Sequence, residues 1–345
     1  MSGHGNLRGV DEPGRGKARR CFGTGAGLAL TLVLLLALTG CGGDRDRLPT
    51  GPLAQTLGEI GGGGANGSLG IGWTEPGEAR RSGVRLPLMA AALGPNAETV
   101  LEAAPLLRRR FGFDPLSASR LVSVGGSYAF GLRLDGVDGR GLSRELTRAG
   151  GRVHGGGALR LVDVGEYAEV PDPLLEAGVL GLGARDAFGP SLTALAISST
   201  ARAALLGRGD RLIDQPIYRA AAECLGDVVA ARMIPDKLLL STELGVDLVA
   251  AGVEREGEVL CVLGGTAERT EEIATALEAG LAPDARDPRT GESMADLVSA
   301  VEVETSSHQG VEVVRVRLRP GPGQARGFLF GTIARGSLVQ LINRS

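Results

Sequence analysis

The chain has 345 residues, a net charge of −3 and a hydrophobic content of 43%, which is enough for a sizeable buried core. Its mean hydropathy of +0.09 excludes a protein with many membrane spans. Residues 1–40 have a net charge of +3, so the rest of the chain has a net charge of −6. An acidic chain without a basic run lacks the electrostatic footprint of a nucleic-acid-binding protein.

The N-terminal segment has the pattern of an export signal. Basic residues at positions 15, 17, 19 and 20 precede an uncharged stretch, 21–43, whose most apolar part is LALTLVLLLAL at 28–38. A basic region followed by an apolar region of this length is typical of a signal peptide. The alternative is a retained membrane helix, because roughly 20 uncharged residues are enough to span a bilayer.

The end of this stretch, Leu38, Thr39, Gly40 and Cys41, resembles the lipobox of bacterial lipoproteins. The resemblance implies that the Cys41 thiol receives a diacylglycerol and that a signal peptidase removes residues 1–40. It also implies that the mature protein is lipid-anchored at the extracytoplasmic face of the cell membrane, so that the membrane is its first partner. Two acyl chains supply a stable anchor. Residues 41–67 are dense in glycine and proline and are predicted to be a flexible tether.

A first α+β lobe is predicted over 68–190. Its elements are a strand at 68–73, a short helix at 74–81 capped by Thr74, and a longer helix at 97–110. A hairpin at 120–134 turning at Gly125 and Gly126, a helix at 139–150 and a strand at 158–164 complete it.

A second lobe, 191–345, is predicted to repeat this order of elements. Its strand lies at 192–198, its helices at 199–207 and 217–233, and its hairpin at 246–265 with a turn over 255–257. A helix at 266–280 and a strand at 311–319 follow an equivalent order, and the segment 327–342 reads as a strand and then a helix.

The repeated order predicts an α+β fold of two similar lobes from an internal duplication, each a mixed or antiparallel sheet covered by helices. Chance recurrence of common elements is the alternative. The two-lobed layout is similar to that of uncharacterised actinobacterial lipoproteins, a resemblance that implies an origin and no activity.

Two cysteines remain in the mature chain, because Cys21 leaves with the signal and Cys41 takes the lipid. Cys224 lies on a helical pattern and Cys261 in an apolar strand. In an oxidising compartment these two are expected to form a disulfide, and two buried free thiols are the alternative.

The sequence contains no trusted catalytic, metal or cofactor motif. His154 and His308 each stand in a polar segment just before a strand, which indicates either exposed turns or a paired site. Gly264 and Gly265 lack the lysine and hydroxyl residue of a phosphate-binding loop, and Ser127 lacks the spacing of a nucleophile elbow. We therefore expect a non-enzymatic binding or scaffold lipoprotein of the cell envelope, with an envelope protein as partner. The alternative is a carrier that binds a small ligand in a cleft between the lobes.

Overall fold

The fold is taken from a computed structural model, which describes residues 48–62, 69–102, 104–112, 114–126, 129–137, 152–154, 160–163, 185–188, 192–196, 199–238, 244–334 and 336–342. Leu48–Ser345 form one compact unit. The helices are α1 Pro52–Glu59, α2 Pro76–Arg81, α3 Leu86–Leu93, α4 Pro95–Glu102, α5 Ala104–Phe111, α6 Ser199–Leu205, α7 Pro216–Leu225, α8 Ala267–Gly280, α9 Met294–Leu297, α10 Phe328–Ala334 and α11 Ser337–Ile342. The strands are β1 Ile71–Thr74, β2 Arg120–Gly126, β3 Ala129–Asp135, β4 Arg152–His154, β5 Arg160–Asp163, β6 Arg185–Phe188, β7 Leu192–Ala196, β8 Ala230–Pro235, β9 Leu248–Val253, β10 Glu258–Leu263, β11 Val298–His308 and β12 Val311–Pro320.

All described strands belong to one sheet in the order β11-β12-β10-β9-β8-β1-β2-β3-β7-β6-β5-β4. Every neighbouring pair is antiparallel. Strand β1 is joined to β8 near the middle of the sheet, with Ile71 opposite Met233 and Thr74 opposite Ala230. The chain is therefore an α+β protein, as predicted.

Helices cover both faces of the sheet around β1 and β8–β10. One core packs side chains of α1, α6 and α7 against alternate strand residues such as Trp73 and Cys261. The other core packs α3, α8, α10 and α11 against the intervening residues such as Leu260 and Val262. This alternation follows from the two-residue period of a β-strand. A strand buried on both faces reads as a continuous apolar run, as EVLCVLGG does.

The predicted flexible tether at 41–67 is wrong for residues 52–61. Helix α1 buries Leu53 and Leu57, and Ile60 directly after it is fully buried. The Trp73 indole N–H donates to the Thr56 hydroxyl at 3.0 Å, which joins α1 to the central strand β1. The glycines and prolines around this segment led to the tether prediction. Pro52 is nevertheless compatible with a helix here, because it occupies the first turn, where the backbone N–H has no partner within the helix.

The predicted helix 217–233 is wrong in its second half. Helix α7 ends at Leu225, and Gly226 follows with a positive φ of 65°. Glycine adopts that conformation at little cost and so ends the helix. Residues 230–235 instead form β8.

Several other boundaries differ from the sequence prediction. The single helix 97–110 is two helices, α4 and α5, because Pro105 favours a new helix start. The hairpin register pairs Gly126 with Ala129, so the strands extend beyond the predicted turn. Segment 327–342 forms two helices instead of a strand and a helix, and the long strand β11 was not predicted. Thr74 does not cap α2, since Glu75 holds that position.

The two halves of the chain contribute to one continuous sheet. Four helices separate β1 from β2, whereas only a short segment separates β8 from β9. Strand β8 also stands between α7 and the hairpin β9–β10, where the predicted repeat has no strand. The described elements therefore do not reproduce the predicted repeat. The predicted helix 139–150 lies outside the described residues.

Candidate functional site

A polar cleft of about 510 Å³ lies where β1 ends and β8 begins. The cleft is formed by α2, the short 3₁₀ helix Pro115–Ser117 and the residues after it, the segment 227–229, and Arg255 at the β9–β10 turn. The Thr74 hydroxyl and the Glu75 N–H both donate to the Val229 carbonyl, at 3.1 and 3.2 Å. These two bonds hold together the parts of the wall that are far apart in sequence.

The cleft carries charges of both signs. Its carboxylates are Glu75, Glu78 and Asp227, and its cations are Arg80, Arg81 and Arg255. Glu78 pairs with Arg81 at 2.7 Å and with Arg255 at 3.5 Å. The Arg80 guanidinium donates to the Leu116 carbonyl at 3.2 Å, which fixes α2 against the 3₁₀ helix.

Glu75 is the carboxyl of the cleft with a perturbed pKa. Burial raises the pKa of Glu75, and the negative charges of Glu78 and Asp227 raise it further, while Arg120 and Arg81 act against the rise. Desolvation and like charges both disfavour the ionised form. Glu75 therefore keeps its proton to a higher pH than an exposed glutamate does.

The serine hydroxyl groups of the cleft donate hydrogen bonds to backbone carbonyl groups. The Ser117 hydroxyl donates to the Asp114 carbonyl at 2.7 Å, and the Ser119 hydroxyl donates to the Asp135 carbonyl at 3.1 Å. A serine nucleophile needs a neighbouring base that takes its proton, and these hydroxyls donate to amide carbonyls instead. The arrangement is suited to holding a polar ligand by ion pairs and hydrogen bonds.

An arginine cluster joins α1, whose Pro52 lines the cleft, to the hairpin β2–β3. Arg120 and Arg133 each donate to the Glu59 carboxylate at 2.6 Å. Both also pair with Asp135, and Arg120 donates to the Thr56 hydroxyl at 2.9 Å. The charges of two arginines and two carboxylates balance in this partly buried position, which offsets the cost of removing them from water. This cluster fixes α1 in place beside the cleft.

The cysteine prediction is reproduced by the structure. Cys224 of α7 and Cys261 of β10 form a disulfide with 6.2 Å between their Cα atoms. Both residues are buried in the core formed by α1, α6 and α7. The lipobox residues Leu38, Thr39, Gly40 and Cys41 lie outside the described residues, and lipidation stays a prediction.

The two histidines lie far apart in the sheet. His154 ends β4 and His308 ends β11, and these are the strands at the two opposite edges of the sheet. His308 has its Nδ1 at 2.9 Å from a carboxylate oxygen of Glu223. The strand order therefore does not bring the two histidines together. The described part of the chain contains no group of three or more potential metal ligands.

Sequence reasoning missed the cleft because its lining comes from five separate stretches of the chain: Pro52, residues within 75–81, 117–119, 227–229 and Arg255. The one local signal was TEPGEARR, a charged helix start directly after a buried strand. Sequence reasoning also missed Glu258, a carboxylate 1% exposed in an apolar strand. Burial raises the pKa of Glu258, and its hydrogen bonds to three backbone N–H groups oppose the rise.

Comparison of the chain with protein-family models, curated proteins and solved structures finds no match. Over the described ranges, none of the helices has the length and apolar character that crossing a membrane requires.

Proposed function

We propose that the chain is an extracytoplasmic lipoprotein, anchored to the cell membrane through an acylated Cys41, with a non-enzymatic binding or scaffold role. The observation that supports an extracytoplasmic location is the buried disulfide between Cys224 and Cys261. Structural disulfides persist in oxidising compartments and are rare in the cytosol. The export pattern of residues 1–40 points to the same compartment independently.

The cleft supports binding as the role. Its serine hydroxyls are engaged by carbonyl groups, and its glutamates and arginines are arranged for ion pairing. Binding sites of this kind fix a ligand by a few placed polar groups. The arginine cluster and the bonds to Val229 keep the walls in position before a ligand arrives, which reduces the entropy cost of binding.

The proposed lipid anchor and location are tested by mass spectrometry. The full chain is expressed in a bacterial host that processes lipoproteins and is extracted in mild detergent. The expected mass lacks residues 1–40 and gains a diacylglycerol. The variant C41S should lose the lipid, whereas the matched variant C21S, altered in the segment that is removed, should give the wild-type mature mass. An intact N-terminus in the wild type would make 21–43 a membrane anchor and overturn the lipoprotein proposal.

A second candidate is a carrier for a small zwitterionic ligand. The observation in its favour is that the polar cleft is lined by Glu75 and Glu78 from the first predicted lobe and by Asp227 and Arg255 from the second. A ligand amine facing Glu75 and Asp227, with its carboxylate toward the arginines, would satisfy both signs of charge.

The carrier proposal is tested by native mass spectrometry of the same preparation. A small-molecule mass is expected on the wild type and on the control E98Q/E102Q, which alters two exposed glutamates of α4. The variant E75Q/D227N should lose this mass. If the wild-type protein carries no small-molecule mass, the carrier proposal is wrong and the partner-binding proposal is unaffected.

The internal duplication also remains a proposal, with a correspondence different from the predicted one. The strands β1-β2-β3 and β8-β9-β10 are two three-stranded antiparallel sets that meet at the β1–β8 pair. This arrangement supports an equivalence of β1 with β8, whereas the sequence pattern matched 68–73 with 192–198.

A further inference from the structure

Strand β11 offers a long backbone edge. It has 11 residues, stands at one end of the sheet, and has β12 as its one strand neighbour among the described strands. It pairs with β12 along nearly its whole length, from Val298 to His308. An edge strand presents a row of N–H and C=O groups that a further strand can pair with.

A groove of about 400 Å³ lies beside this edge, between β11 and the C-terminal end of α8. We call it the edge groove, and its apolar lining includes Leu281, Ala282, Pro283, Val298, Val301 and Val303. Val301 and Val303 are only half-buried. The Thr305 hydroxyl donates to the Glu271 carboxylate of α8 at 3.1 Å, so the helix and the strand that form the groove are already joined.

The opposite face of β11 is acidic. Glu302 and Glu304 are exposed and stand directly across from Arg317 and Arg315 of β12. Residues alternate between the two faces of a strand, so β11 presents valines toward the groove and glutamates away from it. Glu278 adds a further acidic group to the lining of the groove.

We propose that β11 and the edge groove bind an extended segment of a partner protein in which apolar and basic residues alternate. The segment adds to the sheet as a strand beside β11, with its apolar side chains in the groove and its basic side chains facing Glu302 and Glu304. This inference deepens the proposed scaffold function and rests on it for its biological setting.

Charge distinguishes this occupant from a second copy of the chain. Consider two copies of β11 that pair antiparallel through a two-fold axis with their acidic faces on the same side. In registers centred on 302–304, each glutamate then lies opposite a glutamate of the other copy. Like charges directly opposite each other in a sheet are destabilising, and opposite charges are stabilising. The strand that β11 already accepts, β12, carries arginines at the facing positions.

The probe is a synthetic peptide with the sequence of residues 311–320, VEVVRVRLRP, which has valine and leucine on one face and three arginines on the other. Its matched control carries glutamate in place of the three arginines. Binding to the full-length protein in mild detergent is measured by fluorescence anisotropy, and hydrogen exchange locates the contact. The arginine peptide should bind about tenfold more tightly than the control and should protect amides within 299–305.

The charge-reversal variant E302R/E304R should invert this preference and bind the glutamate peptide about tenfold more tightly. The variant E98R/E102R reverses two exposed glutamates of α4 and should retain the wild-type preference. Because the protection of 299–305 is measured on the wild type, the test stands even where the reversal variant does not fold.

Absence of binding, equal binding of both peptides, or protection away from β11 would overturn the proposal. Loss of protection in β12 would also overturn it, because the peptide would then be replacing the chain's own strand. Concentration-dependent dimerisation with protection of β11 would assign the edge to a second copy. None of these results depends on lipidation, so failure of this inference is distinguishable from failure of the lipoprotein proposal.

Discussion

Replacing Glu258 tests whether a buried carboxylate fixes the C-terminal helices to the sheet. Glu258 begins β10 and is 1% exposed. One of its oxygens, Oε1, accepts from the Gly327 and Phe328 N–H groups at 2.6 and 3.1 Å, and Oε2 accepts from the Leu329 N–H at 2.9 Å. These donors belong to the start of α10, whose first N–H groups have no acceptor within the helix.

The geometry predicts different losses for two variants. Glu258→Ala leaves three donors without their acceptor, and a loss of about 4 kcal/mol in the free energy of unfolding is expected after water replaces part of the bonding. Glu258→Gln keeps an oxygen at the Oε1 position, which serves two donors, and presents an amide group to Leu329. Its expected loss is about 2 kcal/mol.

The assay is urea unfolding of the full-length chain in detergent, followed by far-ultraviolet circular dichroism at pH 7. The wild type, E258Q and E258A should unfold in decreasing order of midpoint with similar slopes. If both variants remain within about 0.5 kcal/mol of the wild type, a range typical of surface changes, the carboxylate does not fix α10. Equal losses for the two variants would refute the separate roles of the two oxygens.

Three further predictions use the same assay. Burial raises the pKa of Glu258 above its ordinary value of 4.5, so the folded state keeps this proton to a higher pH than the unfolded state does. The free energy of unfolding of the wild type, relative to that of E258Q, should therefore fall as pH rises above 4.5. A rise would show that the pKa of Glu258 is lowered on folding. The variant C224A/C261A should lose about 4 kcal/mol by the chain-entropy relation for a loop of 37 residues, and dithiothreitol should destabilise the wild type while leaving this variant unchanged. Leu57→Ala should lower the free energy of unfolding by about 3 kcal/mol, because Leu57 is fully buried in α1. Leu48→Ala is the control, at a leucine that is 44% exposed. Equal small losses for the two variants would contradict the helix and support the flexible tether.

The sequence by itself determined the elements whose signals are local. Helix α8 begins at the capping residue Thr266 and has apolar positions at helical spacing, so its bounds follow from its own residues. The hairpin β9–β10 is likewise given by two apolar runs around the polar turn 255–257. The pairing of Cys224 with Cys261 followed from a count of cysteines and the expected compartment. In each case the information lies within a few residues or in a simple count.

Only the tertiary structure decided the centre of the sheet and the cleft. Residues 230–233 were predicted to end a helix, and they belong to β8 instead because pairing with β1 and β9 satisfies their backbone groups. Helix α1 is too short to be stable alone, and its burial against Trp73 and the arginine cluster stabilises it. Glu75, Asp227 and Arg255 meet through the β1–β8 pairing and the bonds to Val229. The β1–β8 pairing and the Thr74–Val229 bond join residues more than 150 positions apart, and local periodicity carries no record of such contacts.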